Sequence, residues 1–424
     1  MKCLLYLCLL LADLCAITQC HRRDVCHEVN NTNLHDGTEN LLKHNCQEQG
    51  SSYADFVFKF YKQAISKEID KNIFFSPISI STAFAMLALG AKSSTLTQIF
   101  EGLGFDHLTE TRVNDIHESF HKVLAVLNCT DVNITLNIGN ALFTAIGYEP
   151  QETFLQNTKQ FYDAEFITSN FHEPTEAKTQ INNYVKEKTQ GKIPELIGHL
   201  DPNTILVLVN YIYFKAAWEK SFDPTHTYED DFFVNTNTPV KVNMMQRDSD
   251  YNSYYDQDLS CEVVELPYQG TARALLILPD DGKMKQVEDA LSKEAVCKWD
   301  SKLETRRADL HLPKISISGS YDVKSLFKEM GITDVFSSNA DLSGISGSRD
   351  LRVSQAIHKA EVDVNENGTE AAAVTMIELV RLSEVFPLPH VIKFNRPFLM
   401  LIVDKTTYSI LFMGKIVNPT VKEG

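Results

Sequence analysis

The sequence predicts an α+β protein whose folded part is one large unit. Three observations carry this prediction. Helical and strand-like patterns are interspersed from residue 51 to residue 424, no internal repeat or Pro/Gly-rich linker divides them, and hydrophobic residues make up 43% of the 424 residues. Length alone, at about 150 residues per domain, would suggest two or three domains. A mixture of helices and strands without a boundary instead favours a single α+β domain.

The first 20 residues predict a secretory signal peptide. Lys2 is followed by an apolar stretch from Cys3 to Ala12, which is too short for a membrane-spanning helix of about 20 apolar residues. Small residues near Cys20 fit a cleavage site at that position. Residues 21–50 are polar and turn-rich, and they predict a flexible extension. We therefore expect a secreted, extracellular protein without membrane association.

Cysteine usage indicates a fold that does not depend on a disulfide framework. Four of the nine cysteines leave with the signal peptide, and the five that remain are Cys26, Cys46, Cys129, Cys261 and Cys297. An odd number leaves at least one thiol free or paired with another chain, and the sequence leaves open whether Cys26 and Cys46 close a small loop. Cys26-His27 lacks a second ligand pair at zinc spacing, so we expect no metal and no cofactor.

Helices are predicted where apolar residues recur three and four positions apart. The first such set is Tyr53, Phe56, Val57, Phe60, Tyr61, Ala64 and Ile65. The run from Ile80 to Leu89 is almost entirely apolar, which predicts a buried helix entered through Ser76-Pro77. Further helical patterns cover residues 110–127, 150–163, 174–187 and 284–298.

Strands are predicted by β-branched and aromatic runs between turn signals. The run from Thr204 to Phe214 is long and apolar throughout, which is typical of a strand covered on both faces. Shorter strand patterns end at turns such as residues 279–282, Pro-Asp-Asp-Gly. These patterns cover residues 231–234, 238–245, 261–267, 271–278, 308–318, 398–403 and 409–417.

The sequence offers little sign of a catalytic site. It contains no G-x-S-x-G, G-x-G-x-x-G or Walker pattern. An H-E-x-x-H pattern occurs once, at residues 117–121 (HESFH), within the helix predicted at 110–127. The formal net charge of −16 repels phosphate backbones, so no nucleic-acid partner is expected. A binding protein is therefore favoured over an enzyme.

Residues 365–390 form the segment with the most unusual composition. Gly368 is followed by Thr369 and the alanines Ala371, Ala372 and Ala373, and no proline occurs from Gly368 to Phe386. Every backbone N–H of this stretch could therefore donate to a sheet ladder. Read as a strand, the face that begins at Thr369 and ends at residue 379 carries no charge. The segment is competent to become a central strand, although its alanines also favour helix.

Several short motifs resemble the serpin family over essentially the whole chain after residue 50. The motifs are residues 72–80 (NIFFSPISI), 140–143 (NALF), 208–215 (LVNYIYFK), 218 with 222–224 (W, FDP), 358–360 (HKA), 368–372 (GTEAA), 395–398 (NRPF) and 412–419 (FMGKIVNP). Within the family, the chain is most similar to the extracellular antitrypsin and antichymotrypsin group, with a longer N-terminal extension.

The resemblance implies a monomer with three β-sheets, about nine helices and an exposed reactive-centre loop at about 368–388. It also implies a suicide mechanism, in which a serine protease cleaves the loop, becomes acylated, and is distorted when the loop inserts into the large sheet as a new strand. The implied hinge of this loop is Gly368, Thr369, Glu370, Ala371, Ala372 and Ala373. The implied polar cluster beneath the sheet, with the aromatic residue near where the loop enters, is Ser76, Ser79, Asn210, His358 and Trp218.

The resemblance places the reactive bond between Leu382 and Ser383. Counting from the Gly368-Thr369 hinge, Leu382 precedes the scissile bond and Ser383 follows it. Leucine would fill a large apolar primary pocket, which predicts chymotrypsin-like serine proteases as partners. Arg381 is the alternative reactive residue, because a shift of one position would favour trypsin-like proteases.

Four N-x-S/T sequons predict glycosylation at Asn30, Asn128, Asn133 and Asn367. Asn367 directly precedes the hinge, where a bulky glycan would hinder insertion of the loop. Two other functions on the same fold remain open. One is a non-inhibitory carrier of a small hydrophobic hormone. The other is a heparin-activated anticoagulant, which is disfavoured because the helix at 110–127 has only Arg112 and Lys122 as basic residues.

Overall fold

The computed structural model describes residues 53–68, 70–106, 108–128, 134–369 and 389–422. The helices are α1 Tyr53–Lys67, α2 Pro77–Ala88, α3 Ser93–Gly102, α4 Glu110–Asn128, α5 Glu152–Tyr162, α6 Pro174–Lys188, α7 Met284–Ala290, α8 Lys293–Lys302, α9 Val323–Glu329 and α10 Ser343–Ser346. The signal peptide and extension predicted for residues 1–50 lie outside the described residues.

Fifteen strands are found in the described part of the chain, and they form two hydrogen-bonded sheets. The strands are β1 Ile73–Phe75, β2 Ile134–Ala145, β3 Glu165–Ser169, β4 Leu206–Ala217, β5 Tyr228–Asn235, β6 Thr238–Asp256, β7 Cys261–Pro267, β8 Ala272–Pro279, β9 Glu304–Pro313, β10 Ile315–Asp322, β11 Gln355–Asn365, β12 Gly368–Thr369, β13 His390–Lys393, β14 Phe398–Asp404 and β15 Ile410–Ile416. The predicted α+β class is confirmed.

The six-stranded sheet has the order β10-β11-β12-β4-β2-β3. Its central strand β4 is buried along nearly its whole length, as the apolar run at residues 204–214 predicted. One face of β4 packs on α6, where Val207 and Val209 join the cluster that contains Ile181. The other face lies on the main core, into which α2 is buried along its entire length. The sheet is therefore covered on both sides around β4.

One long strand, β6, connects the parts of the nine-stranded sheet. The first part of β6 pairs with β5, its middle pairs with β9, and its last residues pair with β7. The rest of the sheet follows the order β7-β8-β14-β15-β1, and β13 lies at the edge beside β9. The three sheets expected from the resemblance are therefore hydrogen-bonded as two, because β6 continues from one into the next.

Two elements predicted from local patterns are divided in the structure. The helix predicted at 284–298 is split into α7 and α8, because the Ser292 side chain accepts a hydrogen bond from the backbone N–H of Ala295 and starts a new helix there. The strand predicted at 308–318 is split at Lys314. β9 pairs with β6 and β13, whereas β10 pairs with β11 in the other sheet.

The two cysteines among the described residues are in different states. Cys261 at the start of β7 is a free, buried thiol, and Cys297 in α8 is disulfide-bonded. The question of a loop closed by Cys26 and Cys46 falls outside the described residues. Among the residues that the structure describes, none of the helices is both long and apolar enough to span a membrane.

Candidate functional site: where the six-stranded sheet opens

Strands β4 and β11 pair directly over only half of their length. Their parallel register runs from Gln355 opposite Val207 to Ala360 opposite Ile212. We call this paired stretch, residues 207–212 and 355–360, the closed half. Since β4 and β11 are here immediate neighbours, any strand inserted between them must first break these pairs.

Beyond the closed half, the two strands are separated by the two-residue strand β12. Gly368 and Thr369 pair antiparallel with Ala217 and Ala216 of β4 on one side, and with β11 residues 365 and 364 on the other. Between β12 and the closed half, residues 213–215 of β4 and 361–363 of β11 have no strand partner across the gap among the described residues. We call this stretch, residues 213–217 and 361–365, the open half.

A polar cluster of Ser76, Ser79, Asn210 and His358 lies beneath the closed half, where α2 begins. His358 and Asn210 are direct neighbours across the β4–β11 pair. The backbone N–H of Ser76 donates to His358 Nε2 at 3.0 Å, and the Ser79 hydroxyl donates to Asn210 Oδ1 at 2.9 Å. The Asn210 amide donates to the Ser79 carbonyl oxygen at 2.9 Å. The structure thus brings these four predicted residues together, and their polar atoms satisfy one another.

The His358 ring is held as one neutral tautomer. Since Nε2 accepts from Ser76, the ring proton is on Nδ1, which donates to Asn210 Oδ1 at 2.6 Å. Burial lowers the pKa of His358 to about 3, because a low-dielectric interior penalises the charged ring. His358 is therefore neutral at physiological pH, and its hydrogen bond ties β11 to β4.

Trp218 lies at the other end of the sheet, away from the polar cluster and beside β12. Its backbone N–H donates to the Asn367 carbonyl oxygen at 2.8 Å, and its indole N–H donates to the Asn365 carbonyl oxygen at 3.0 Å. The indole ring stacks on Tyr268 with centroids 4.2 Å apart. Trp218 therefore holds the turn that connects β11 to β12, residues 365–369, which we call the hinge turn.

The two residues of β12 are tightly enclosed. The Thr369 side chain is fully buried, and its hydroxyl lies 2.9 Å from the Tyr268 hydroxyl. Gly368 has φ +140°, and a Cβ there would lie 2.2 Å from the Ala216 carbonyl oxygen. Only glycine combines this backbone conformation with so close an approach to β4.

Glu366 anchors the hinge turn through a buried carboxylate. Its Oε1 accepts from Lys314 Nζ at 2.7 Å and from the Thr227 hydroxyl at 2.7 Å. Burial acts to raise the pKa of Glu366, but these two hydrogen bonds outweigh burial and hold the pKa below its usual value. The backbone N–H of Phe222 also donates to the Glu366 carbonyl oxygen at 2.8 Å.

The remaining predicted positions are divided between described and undescribed residues. Asn128 is exposed at the end of α4, and Asn367 is partly exposed on the hinge turn. The other predicted hinge, reactive-bond and glycosylation residues lie outside the described residues, namely Glu370, Ala371, Ala372, Ala373, Arg381, Leu382, Ser383, Asn30 and Asn133. No three His, Cys, Asp or Glu side chains of the described chain are grouped so that they could hold a metal ion.

Three residues without a predicted role complete the site. Asn140 on β2 accepts from the Asn210 amide at 2.7 Å and extends the polar cluster. Tyr268 contacts the hinge turn through Thr369, and Glu366, within the turn, anchors it to Lys314. Asn140 lies within one of the motifs that carry the family resemblance, whereas Tyr268 and Glu366 had no local signal, because their partners lie about 100 and 50 residues away along the chain.

Comparisons with known proteins identify what the chain is similar to. A family model described as Serpin (serine protease inhibitor) matches residues 51–419. Human alpha-1-antichymotrypsin is 44% identical over 426 aligned positions, covering 98% of both chains. Alpha-1-antiproteinase 2 of Equus caballus is 47% identical over 369 positions, covering 87% of this chain and 86% of its own. The solved structure of human thyroxine-binding globulin complexed with thyroxine is 42% identical with a TM-score of 0.83, covering 87% of this chain and 98% of its own.

Proposed function

The chain belongs to the serpin family and has the serpin fold, and from that premise we propose that it is a secreted inhibitor of serine proteases. In this proposal it acts as a suicide pseudo-substrate, and a chymotrypsin-like protease cleaves it between Leu382 and Ser383. The observation that carries the proposal is the open half of the six-stranded sheet, because among the described residues no strand lies between residues 213–215 and 361–363, where a continuation of β12 would fit.

The register of β12 supports insertion of the loop that follows it. Continued beyond Thr369, the same register would place residues 370–372 opposite 213–215 of β4 and 361–363 of β11. These three residues would fill the open half. From residue 373 onward, the inserting strand would have to separate the pairs of the closed half, beginning at Ile212 and Ala360.

Insertion would exchange one set of pairs for a larger one. Each pair broken between β4 and β11 would be replaced by pairs of the new strand with both neighbours, and the uncharged face of the loop would become buried. Before cleavage, the loop is tied at both of its ends, at β12 and at β13, so full insertion requires the cut. A protease still acylated by the loop would be carried along, and its active site would lose the geometry that deacylation needs.

The preference for chymotrypsin-like proteases depends on the residue before the cleaved bond. Leu382 would enter an apolar primary pocket, in which a charged Arg381 would be disfavoured. Relatives named alpha-1-antichymotrypsin, from human and from Pongo abelii, support this choice.

Incubation of the purified protein with chymotrypsin tests the proposal. We expect a covalent complex that survives SDS, and a released peptide whose first residue is Ser383. Complete cleavage without any complex would contradict inhibition. Matched variants assign the reactive residue: Leu382→Arg should transfer complex formation from chymotrypsin to trypsin, whereas Arg381→Ala should leave the chymotrypsin complex intact. The opposite pattern would assign Arg381 as the reactive residue.

A carrier function is the second candidate, because a close structural neighbour is a thyroxine-binding globulin solved with thyroxine. Equilibrium dialysis with thyroxine and with a steroid would test it. Saturable binding together with cleavage that yields no protease complex would favour the carrier. Complex formation without hormone binding would favour the inhibitor.

A further inference from the structure

Asn367 is held in the hinge turn by its backbone and not by its side chain. Its main-chain carbonyl oxygen accepts from Trp218, and its backbone N–H donates to Asn365 Oδ1 at 2.9 Å. None of the hydrogen bonds between described residues involves the side-chain amide of Asn367, and the residue is partly exposed. The amide nitrogen is therefore free to carry a modification while the backbone of the turn stays in place.

Thr369, the third residue of the same sequon, is in the opposite situation. Its side chain has no exposed surface, and its hydroxyl is hydrogen-bonded to Tyr268. The Asn-x-Ser/Thr acceptor is defined by this hydroxyl. Once the hinge turn has docked, an enzyme that reads the sequon cannot reach it. Glycan transfer to Asn367 therefore has to precede docking of Thr369.

The order of residues along the chain leaves little time between synthesis of the sequon and docking of Thr369. The residues that receive the hinge turn are on β4, at Trp218, at Tyr268 and on β11, and all of them precede Asn367 in the sequence. A chain made from its N-terminus already contains every one of these partners when Thr369 emerges. The segment can consequently either dock or receive a glycan as soon as it has been made.

We propose that Asn367 is an N-glycosylation site whose occupancy is set by competition between glycan transfer and docking of the hinge turn. In the transfer, the amide nitrogen bonds to the anomeric carbon of an oligosaccharide carried on a lipid pyrophosphate. The sugar–phosphate bond breaks, the lipid pyrophosphate leaves with the bonding electrons, and one amide proton is lost. Docking ends the competition because the Thr369 hydroxyl then forms a buried hydrogen bond with the Tyr268 hydroxyl.

The glycan would lie on the part of the loop that does not move. This part of the inference rests on the proposed inhibitor function. Gly368 and Thr369 are already paired with both neighbouring strands, so insertion would begin at residue 370 and leave Asn367 on its turn. A glycan there has no need to pass into the sheet, in contrast to the hindrance expected from the sequence alone.

Occupancy measured by glycopeptide mass spectrometry tests the proposal on protein secreted by a eukaryotic cell line. We expect wild type to contain both occupied and unoccupied Asn367. Tyr268→Phe removes the hydroxyl that receives Thr369, and it should raise the ratio of occupied to unoccupied Asn367 at least twofold. Occupancy at Asn128, on the exposed end of α4, should not change and serves as the internal control.

Three outcomes would overturn the proposal: no occupancy at Asn367 in either protein, complete occupancy in wild type, or an unchanged ratio in Tyr268→Phe. Should Tyr268→Phe fail to be secreted, Trp218→Phe offers an independent route, because it removes the indole donor to Asn365. Its ratio should rise in the same direction. These readouts do not involve a protease, so a wild type glycosylated as expected that forms no chymotrypsin complex would contradict the proposed function alone.

Discussion

The closed and open halves of the six-stranded sheet are built from the same two strands but are held by different interactions. In the closed half, β4 and β11 pair directly, and the buried polar cluster joins them to α2. In the open half, two residues of β12 lie between the strands, held by a stacked ring pair and a carboxylate that faces a half-exposed lysine. One half thus needs several partners at once, whereas the other depends on a few separable contacts.

The two halves should therefore differ in their resistance to a new strand. A buried hydrogen-bond network loses far more when one member is removed than the average bond contributes, because the remaining groups are left unsatisfied. In the proposed mechanism, the closed half is therefore the barrier that insertion must overcome. The open half is the place where insertion can start.

Thr369→Arg should have the largest effect, on function in the open half. Thr369 is fully buried, and the charge of an arginine at this position would prevent seating of β12 and of any strand that continues it. We expect chymotrypsin to cleave the loop while the yield of covalent complex, measured on SDS gels, falls at least tenfold. Thr369→Ser keeps the hydroxyl and is the control; equal complex yields in the two variants would disprove the role of β12.

Asn210→Ala should have the largest effect on stability, in the closed half. It leaves the Nδ1–H of His358, the Ser79 hydroxyl and Asn140 Oδ1 without their partner. We expect the free energy of the first unfolding transition in urea to fall by about 3 kcal/mol. Asn137→Ala removes one hydrogen bond, to the Lys188 carbonyl oxygen, and should lose no more than about 1 kcal/mol. Similar losses in both variants would show that the network has no special weight.

Acid should weaken the closed half through His358. The folded pKa is about 3, below the unfolded value of about 6.5, so only the unfolded chain gains a proton as the pH falls between these values. The contribution is fully present above pH 6.5 and is lost toward pH 3, by at most about 1.4 kcal/mol per pH unit. Urea midpoints at pH 7.5, 6 and 5 measure this loss.

His358→Gln should flatten that pH dependence. His117, whose pKa burial lowers to about 4, contributes a slope of similar size and the same sign in both proteins, so the variant should lose about half of the combined slope. A variant that retains the full slope of wild type would show that the acid sensitivity arises elsewhere in the molecule.

Glu366→Gln should have a moderate effect, confined to the hinge turn. The neutral side chain keeps a hydrogen bond but loses the charge that pairs with Lys314, whose side chain is 40% exposed. We expect a loss of about 1 kcal/mol at neutral pH, seen as a lower Tm. The wild-type contribution should itself disappear as the pH falls below about 4, because the folded pKa is depressed. Glu304→Gln, in an exposed pair with Arg306, should not change Tm.

Asn367→Gln should have the smallest effect. It removes the sequon and leaves the hydrogen bonds of the turn among the described residues in place, because the backbone of residue 367 makes them. We expect the yield of chymotrypsin complex per inhibitor to stay within twofold of wild type. A marked rise in yield would mean that the glycan does oppose insertion.

Local patterns predicted most helices and strands because each depends on its own periodicity. The apolar run at residues 204–214 became the central strand β4, and the helix expected after Ser76-Pro77 begins at Pro77. The same reasoning failed where the pattern continues while the pairing changes. Alternation persists through Lys314, yet β9 and β10 belong to different sheets, and only tertiary partners determine such a break.

The site itself could be predicted only through family resemblance. Ser79, Asn210 and His358 are separated by more than 100 residues from one to the next, and no local rule brings them together. Confirmed are the serpin family and fold. The reactive bond at Leu382 and Ser383 stays a prediction, since it lies outside the described residues. The role of Tyr268 could not be predicted from the sequence, because its partner Thr369 is brought close only when the strands pair.

The pair of tryptophans gives the molecule a built-in optical probe. The chain contains two tryptophans: Trp218 is stacked on Tyr268 at the hinge turn, whereas Trp299 in α8 donates its indole N–H to Asp256 in the nine-stranded sheet at 2.8 Å. One indole therefore sits where the loop meets the sheet, and the other serves as a fixed reference. Trp299→Phe would leave a single tryptophan, whose emission should follow the hinge turn in real time as a protease reacts.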